Sequence, residues 1–219
     1  MRLILASSSP RRRDLLALLH IPFETVAPSY VERLSPHLAP AEQARVFAEG
    51  KARSCQDQFA DGVIIGCDTL IELESEVLGK PRDGEDAARM LQRLSGQQHV
   101  IHTGIVVVST STDRLETAVE SVHVWFKRLS PTDISAYVAT GESLGKAGAY
   151  GIQGGGAELI ERIEGDYTAA VGLPLKMLAE LLGRFDVNIP VDLKNLYQQK
   201  SYPNWRRFTS GSRAERRLQ

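Results

Sequence analysis

One stretch constrains the fold most: Val63 to Leu73 is apolar and rich in β-branched residues, as a buried strand requires, yet Gly66 and Asp68 interrupt it. An unpaired carboxylate in a buried strand is costly, so Asp68 calls for a cation, a metal or water beside it. Two readings stay open: a candidate base, or a satisfied carboxylate at a bulge made by Gly66.

The elements around this strand alternate. Leu3 to Ala6 is a short apolar run broken by Ser7-Ser8-Ser9-Pro10, after which Leu15, Leu18 and Leu19 recur at helical spacing, so the segment reads strand, loop, helix. Ser9 suits an N-cap and Pro10 the first helical position. Pro40 opens a second helix to about Phe59, and Asp83 starts a third that Gly96 ends. Strands are predicted at about 99–109 and 116–126, and Ser130-Pro131-Thr132-Asp133 reads as the capping box of a helix stopped near Gly141. Seven glycines between 141 and 156 mark a loop, followed by a strand from Ala157 to Ile163 and a last helix from Pro174 to about Leu182.

This alternation predicts an α/β fold with a mixed, twisted sheet flanked by helices, spanning residues 1–190 as one domain or as two lobes around a cleft. From Val191 the composition changes. Residues 191–219 carry seven Lys and Arg against Asp192 and Glu215, and read as a semi-detached basic extension, mobile beyond Phe208 and outside the chemistry.

The whole chain of 219 residues has 26 Lys and Arg against 27 Asp and Glu, which argues against a protein that coats nucleic acid or anionic membrane. No apolar stretch approaches the roughly 20 residues of a membrane span, and the N-terminus lacks the longer apolar region of a signal peptide, so a cytoplasmic protein is expected. Cys55 and Cys67 stand neither in a CxxC nor beside a His at zinc spacing, and read as small buried hydrophobes.

Because the net charge is near zero, any anion must be met locally. Ser7-Ser8-Ser9-Pro10-Arg11-Arg12-Arg13 joins a helix N-terminus to hydroxyls and guanidinium groups, which together suit phosphate; a capped helix with solvated arginines is the alternative. Lys51 falls inside the apolar stripe of Ala44, Phe47, Ala48, Ala52, Cys55 and Phe59, and either snorkels or reaches into an anion-binding cleft. Gly79-Lys80-Pro81 supplies a further lysine. The Gly145 to Gly154 segment either is a floppy linker or brings backbone close to a ligand, with Gln153 offering a donor and an acceptor to a base edge. Walker A, G-x-G-x-x-G and H-E-x-x-H patterns are absent from the chain.

Taken in order, Ala6-Ser-Ser-Ser-Pro-Arg-Arg, Gly66-Cys-Asp-Thr, Gly79-Lys-Pro, His99-x-x-x-Thr103-Gly104, Lys146-Ala-Gly-Ala-Tyr-Gly-Ile-Gln-Gly, and Gly165-Asp-Tyr with Val171-Gly-Leu-Pro-Leu resemble the Maf family of nucleoside triphosphate pyrophosphatases. The resemblance covers about residues 2–187. It implies hydrolysis of a nucleoside triphosphate to monophosphate and pyrophosphate, a divalent metal (Mg²⁺ or Mn²⁺), and a fold similar to inosine triphosphate pyrophosphatases. By position, Asp68 matches the family's proton acceptor and Glu32 its second acid, the two being the implied metal ligands. Ser7, Arg12, Lys51 and Lys80 match phosphate-site residues, and Arg11, Thr69 and Gln153 match positions tied to base choice. The Ala-Gly-Ala-Tyr-Gly-Ile-Gln-Gly form is similar to the branch acting on dTTP and UTP. Gly145 and Ala169 depart from the family, where relatives usually carry Asp and many carry Asn, respectively. The expected protein is a cytoplasmic, homodimeric house-cleaning pyrophosphatase with no nucleic-acid or membrane partner. The alternatives are the same reaction on another nucleotide, or a nucleotide-binding regulator of cell division and septum formation without turnover.

Overall fold

The computed structural model describes residues 2–112 and 114–208. Seven strands form one sheet: β1 (Arg2–Ala6), β2 (Glu24–Val26), β3 (Gly62–Leu73), β4 (Glu76–Leu78), β5 (Gln98–Ser109), β6 (Leu115–Phe126) and β7 (Ile160–Glu164). Their spatial order is β2-β1-β3-β5-β6-β7, with β4 folded back on β3 as a hairpin. β1 pairs in parallel with β2 and β3, and the remaining pairs are antiparallel, so the sheet is mixed as expected.

β3 is apolar almost throughout because both its faces are covered. Ile64 joins Ile4, Val106 and Val108 under helix α2 (Pro40–Arg53), while Ile65 and Cys67 join Leu5, Ile105 and Val107 in the larger core on the opposite face. That core also takes in Leu15 and Leu16 of α1 (Pro10–Ala17), Leu91 of α3 (Gly84–Leu94), Ala169 of α5 (Tyr167–Val171) and Leu178 of α6 (Leu175–Gly183). The two-residue period of a strand therefore sends Asp68 toward α2 and Thr69 toward α1.

The approach of α2 to the sheet is unusually close, because two glycines lie beneath it. A Cβ at Gly66 would stand 2.1 Å from the Ala48 carbonyl oxygen, and one at Gly104 2.5 Å from that of Ala44. The helix answers with Ala44, Ala48 and Ala52, all fully buried. Gly66 thus makes room for the helix; β3 pairs with β5 across it without a shift in register, so the bulge reading is not upheld.

Several expectations hold at the level of local chemistry. Asp83 caps α3 by accepting from the Asp86 N–H at 2.8 Å, and Ser130 and Asp133 form the capping box of α4 (Pro131–Ala139). Ser9 is the N-cap residue of α1, but its side chain makes no capping bond; its own N–H donates to Ser7 Oγ at 3.2 Å. The second helix ends at Arg53, followed by a short 3₁₀ turn at Gln56–Gln58. β7 starts at Ile160, after a 3₁₀ turn at Gly155–Leu159, because the glycines there favour turns over a ladder.

The largest departure concerns the segment after Val191, read as semi-detached. Residues 193–208 pack on the body: α7 (Leu193–Gln199) buries Leu196, and a 3₁₀ turn at Trp205–Phe208 buries Trp205 and Phe208. Both rings stack on Tyr167 at centroid distances of 5.8 Å. Sparse aromatic anchors were enough to dock a polar segment, since each buries a large area. The part expected to be mobile, with Arg213, Glu215, Arg216 and Arg217, lies outside the described residues. Among the described residues no helix is long and apolar enough to cross a membrane.

Two tests follow from this packing. Gly66→Ala should overpack the α2 contact and destabilise the protein by about 2 kcal/mol or more, read from urea denaturation. His99, wedged between Phe126 and Tyr150, is buried, and desolvation pushes its pKa down from 6.5 to about 3. The unfolded chain therefore takes up this proton well before the folded one. The stability that neutral His99 contributes is intact above pH 6.5 and falls by up to about 1.4 kcal/mol per unit as pH drops toward 3. His99→Gln should flatten the slope of unfolding free energy between pH 6 and 4, whatever constant offset it adds.

Candidate functional site

β1 stops at Ala6, opposite Gly66, whereas β3 runs on to Leu73 and meets β4 only from Ile71. Between these points the flank of β3 borders a cleft of about 460 Å³ at the carboxyl end of β1, a common place for ligand crevices in α/β sheets. Ser7, Arg11, Arg12, Glu32, Lys51, Asp68, Thr69, Lys80 and Gln153 all line it, so the nine candidate site residues come to one place.

On the α2 face, Lys51 does reach into the cleft. Its Nζ donates to Asp68 Oδ1 and stands 2.6 Å from Glu32 Oε1. Lys51 and Asp68 are 8% and 4% exposed, so the pair is desolvated, whereas Glu32 comes from a loop and stays partly open to solvent. Asp68 Oδ2 is buried and has no hydrogen-bond partner among the described residues. Burial works against ionisation of Glu32, yet its carboxyl is held below the usual range by the Lys51 hydrogen bond and by the charges of Lys51, Lys80 and Arg12.

On the α1 face, Arg12 is fixed at two points: Nε donates to Gly172 O at 3.0 Å and a terminal nitrogen donates to Thr69 Oγ1 at 3.1 Å. Thr103 Oγ1 donates to Ala169 O at 2.9 Å, so at the 3.1 Å contact between the threonines Thr69 is the donor. This chain of bonds leaves Thr69 only acceptor capacity toward a ligand. The Cys67 thiol donates to the same Gly172 O at 3.0 Å, and burial raises its pKa; both cysteines are buried and free, as expected.

The sequence reading passed over some lining residues. Tyr30 packs on Phe47 and covers Gly50, and nothing in its local pattern marks it. Lys146, part of the glycine-rich segment but given no role, donates to Glu142 O; burial lowers its pKa, Glu142 opposes that, and the charge of Arg11 adds to it. Thr103 was legible only as part of a motif.

The residues present fit a divalent cation of the Mg²⁺ type. The described residues contain no group of three or more His, Cys, Asp or Glu able to hold a metal by themselves. They do offer Glu32 and the free Oδ2 of Asp68, and Mg²⁺ is commonly held by one or two carboxylates, with substrate phosphates and water completing its shell.

A helix N-terminus with arginines, a buried carboxylate and a glycine-rich wall in one crevice defines an α/β protein built for an anionic, phosphate-bearing ligand. The chain belongs to the family described as Maf-like protein, whose profile matches residues 2–185. A dTTP/UTP pyrophosphatase of Moorella thermoacetica is 48% identical over 189 residues, 86% of this chain and 97% of the relative. Those of Pelotomaculum thermopropionicum and Bacillus velezensis are 44% and 45% identical, over 85% of this chain and 98% and 97% of their own lengths.

Removing the shared cation should expose the cost of the buried Asp68 carboxylate. Lys51→Met is expected to destabilise the fold by about 3–5 kcal/mol in urea titrations at neutral pH. The double variant Lys51→Met/Asp68→Asn should recover most of that loss, because no buried charge is then left without a partner.

Proposed function

We propose that the chain is a dTTP/UTP pyrophosphatase, hydrolysing either triphosphate to its monophosphate and pyrophosphate. The observation that carries this reading is the convergence of Asp68, with one carboxylate oxygen free, and a set of basic side chains on one cleft, in a family whose similar members bear that name. A near-neutral chain can hold a polyanion only by concentrating charge, and Arg12, Lys51 and Lys80 do so beside Ser7 and the first turn of α1.

Within this proposal Ser7, Arg12, Lys51 and Lys80 bind the phosphates, and Glu32 and Asp68 hold Mg²⁺ or Mn²⁺. When bound, the metal supplies Lewis-acid polarisation of the α-phosphoryl group and offsets charge on the departing pyrophosphate. Lys51 steadies Asp68 through Oδ1, and the Asp68 carboxylate takes the proton of the attacking water. The bonds on Arg12 hold its guanidinium plane steady, so that little side-chain entropy is lost when phosphate arrives. Arg11, Thr69 and Gln153 face the base. The acceptor-only state of Thr69 suits the N3–H of uracil or thymine, and Gln153 pairs a carbonyl and an N–H of the same edge. The cytoplasm is the compartment this reading implies, in keeping with two free, buried cysteines.

Pyrophosphate release from a panel of triphosphates tests the whole reading, and absence of turnover with retained binding would favour a nucleotide-sensing regulator instead. Asp68→Asn should fold and bind dTTP while losing about 10²–10⁴ in kcat; hydrolysis within a few-fold of the parent removes Asp68 as the base. A site built for the uracil pattern leaves buried groups unpaired against cytosine. UTP should therefore exceed CTP in kcat/KM by roughly 5- to 150-fold, and equal values overturn the base assignment.

A further inference from the structure

The family match ends at residue 185, yet the chain beyond it returns to the loop that forms one wall of the cleft. Asp192 caps α7 by accepting from the N–H groups of Lys194 and Asn195, at 2.9 and 3.3 Å. Lys200 then turns the chain in the left-handed region (φ 48°), and residues 201–208 run along the glycine-rich wall as a strap. Tyr167 anchors it twice, donating its hydroxyl to Pro203 O at 2.5 Å and stacking under Trp205 and Phe208. Arg207 adds an ion pair to Glu158.

Asn204 sits in the middle of this strap. Its Nδ2 donates to Ile152 O at 3.2 Å and to Gly154 O at 2.9 Å, the two carbonyls that flank Gln153. Carbonyl oxygens only accept, so the amide nitrogen must face them and the orientation of the side chain is fixed by chemistry. The same loop is held from the other side by α4 and the turn after it: the Gly151 N–H donates to Tyr137 Oη at 3.1 Å, and the Gly155 N–H to Glu142 Oε2 at 2.9 Å. The loop that carries Gln153 is therefore gripped through its N–H groups by the shared domain and through its carbonyls by the strap.

We propose that Asn204 is a positioning residue for Gln153, and that the C-terminal strap thereby sharpens the choice of uracil and thymine nucleotides over cytosine ones. This rests on the reading of Gln153 as a base reader. A glutamine that pairs two atoms of a base edge discriminates only if its backbone is held to a fraction of an ångström, and beyond buried Ile152 the glycines at 151 and 154–156 give the turn no side chains to pack. The strap supplies that rigidity, so it takes part in specificity while contributing no acid or base.

Asn204 has φ 59°, a conformation that Gly adopts freely and Asp tolerates. Asn204→Gly thus removes both donors and keeps the turn, and Asn204→Asp sets a carboxylate against the two carbonyls. In the full chain, kcat/KM for UTP and for CTP is measured in the parent, in both Asn204 variants and in Gln153→Ala. Each Asn204 variant should lower the UTP-to-CTP ratio by about tenfold, mainly through a higher KM for UTP, with kcat nearly kept. Gln153→Ala should lower it at least as much. If Gln153→Ala lowers the ratio while both Asn204 variants stay within twofold of the parent, the strap proposal fails and the base reader stands. A parallel loss for UTP and CTP in the Asn204 variants also overturns the proposal, because general loosening of the fold then suffices. An unchanged ratio in Gln153→Ala overturns the reading of Gln153 and the proposal with it.

Discussion

The near-contact between α2 and the sheet is the constraint on which the rest depends. Gly66 of β3 and Gly104 of β5 remove the side chains that would hold the helix off, and Ala44, Ala48 and Ala52 do the same from above. A helix this close brings Lys51, one residue before Ala52, to Asp68, two residues after Gly66. Any larger residue at these positions would widen the gap and leave a carboxylate buried without its cation. Packing density on this face is thus a condition for the charge pattern of the cleft as well as for stability.

The cleft draws on both faces of one strand. Neighbours in a strand point oppositely, so Asp68 answers to α2 and Thr69 to α1, yet both border the same crevice because β1 ends at Ala6 and exposes the flank of β3. The buried carboxylate and the threonine hydroxyl are thereby carried by adjacent residues but held by side chains of different helices. A change in one helix can alter Asp68 without disturbing the bond chain from Arg12 through Thr69 and Thr103 to Ala169.

The remaining wall is made differently. From Gly145 to Gly154 the chain is anchored in the core by Ala149, Tyr150 and Ile152, and the turn around Gln153 is held further by Tyr137 and Glu142 on one side and Asn204 on the other. Such a wall lets backbone approach a ligand closely, at the cost of depending on distant segments for its shape.

Much of this was legible in one dimension. The alternation of elements, the capping box at Ser130, the cap at Asp83 and the mixed sheet follow from local patterns, and the place of Lys51 in an apolar stripe left two outcomes, snorkelling or a cleft, of which the fold realises the second. All nine candidate site residues share that cleft. Short elements such as β2, β4, α5 and α7 escaped because three to seven residues carry too little periodicity to register. What escaped in residues 193–208 was the partner: Leu196, Trp205 and Phe208 stand out as residues the extension can bury, but only folding reveals that the two rings stack on Tyr167. The sequence by itself determined which groups carry charge, where helices begin and which strand is buried, since these are properties of neighbours along the chain. Which carboxylate oxygen stays free, which threonine donates, and that Asn204 grips the carbonyls beside Gln153 were decided by the tertiary structure alone, because each bond joins residues 34 or more apart or depends on a contact that no local pattern encodes.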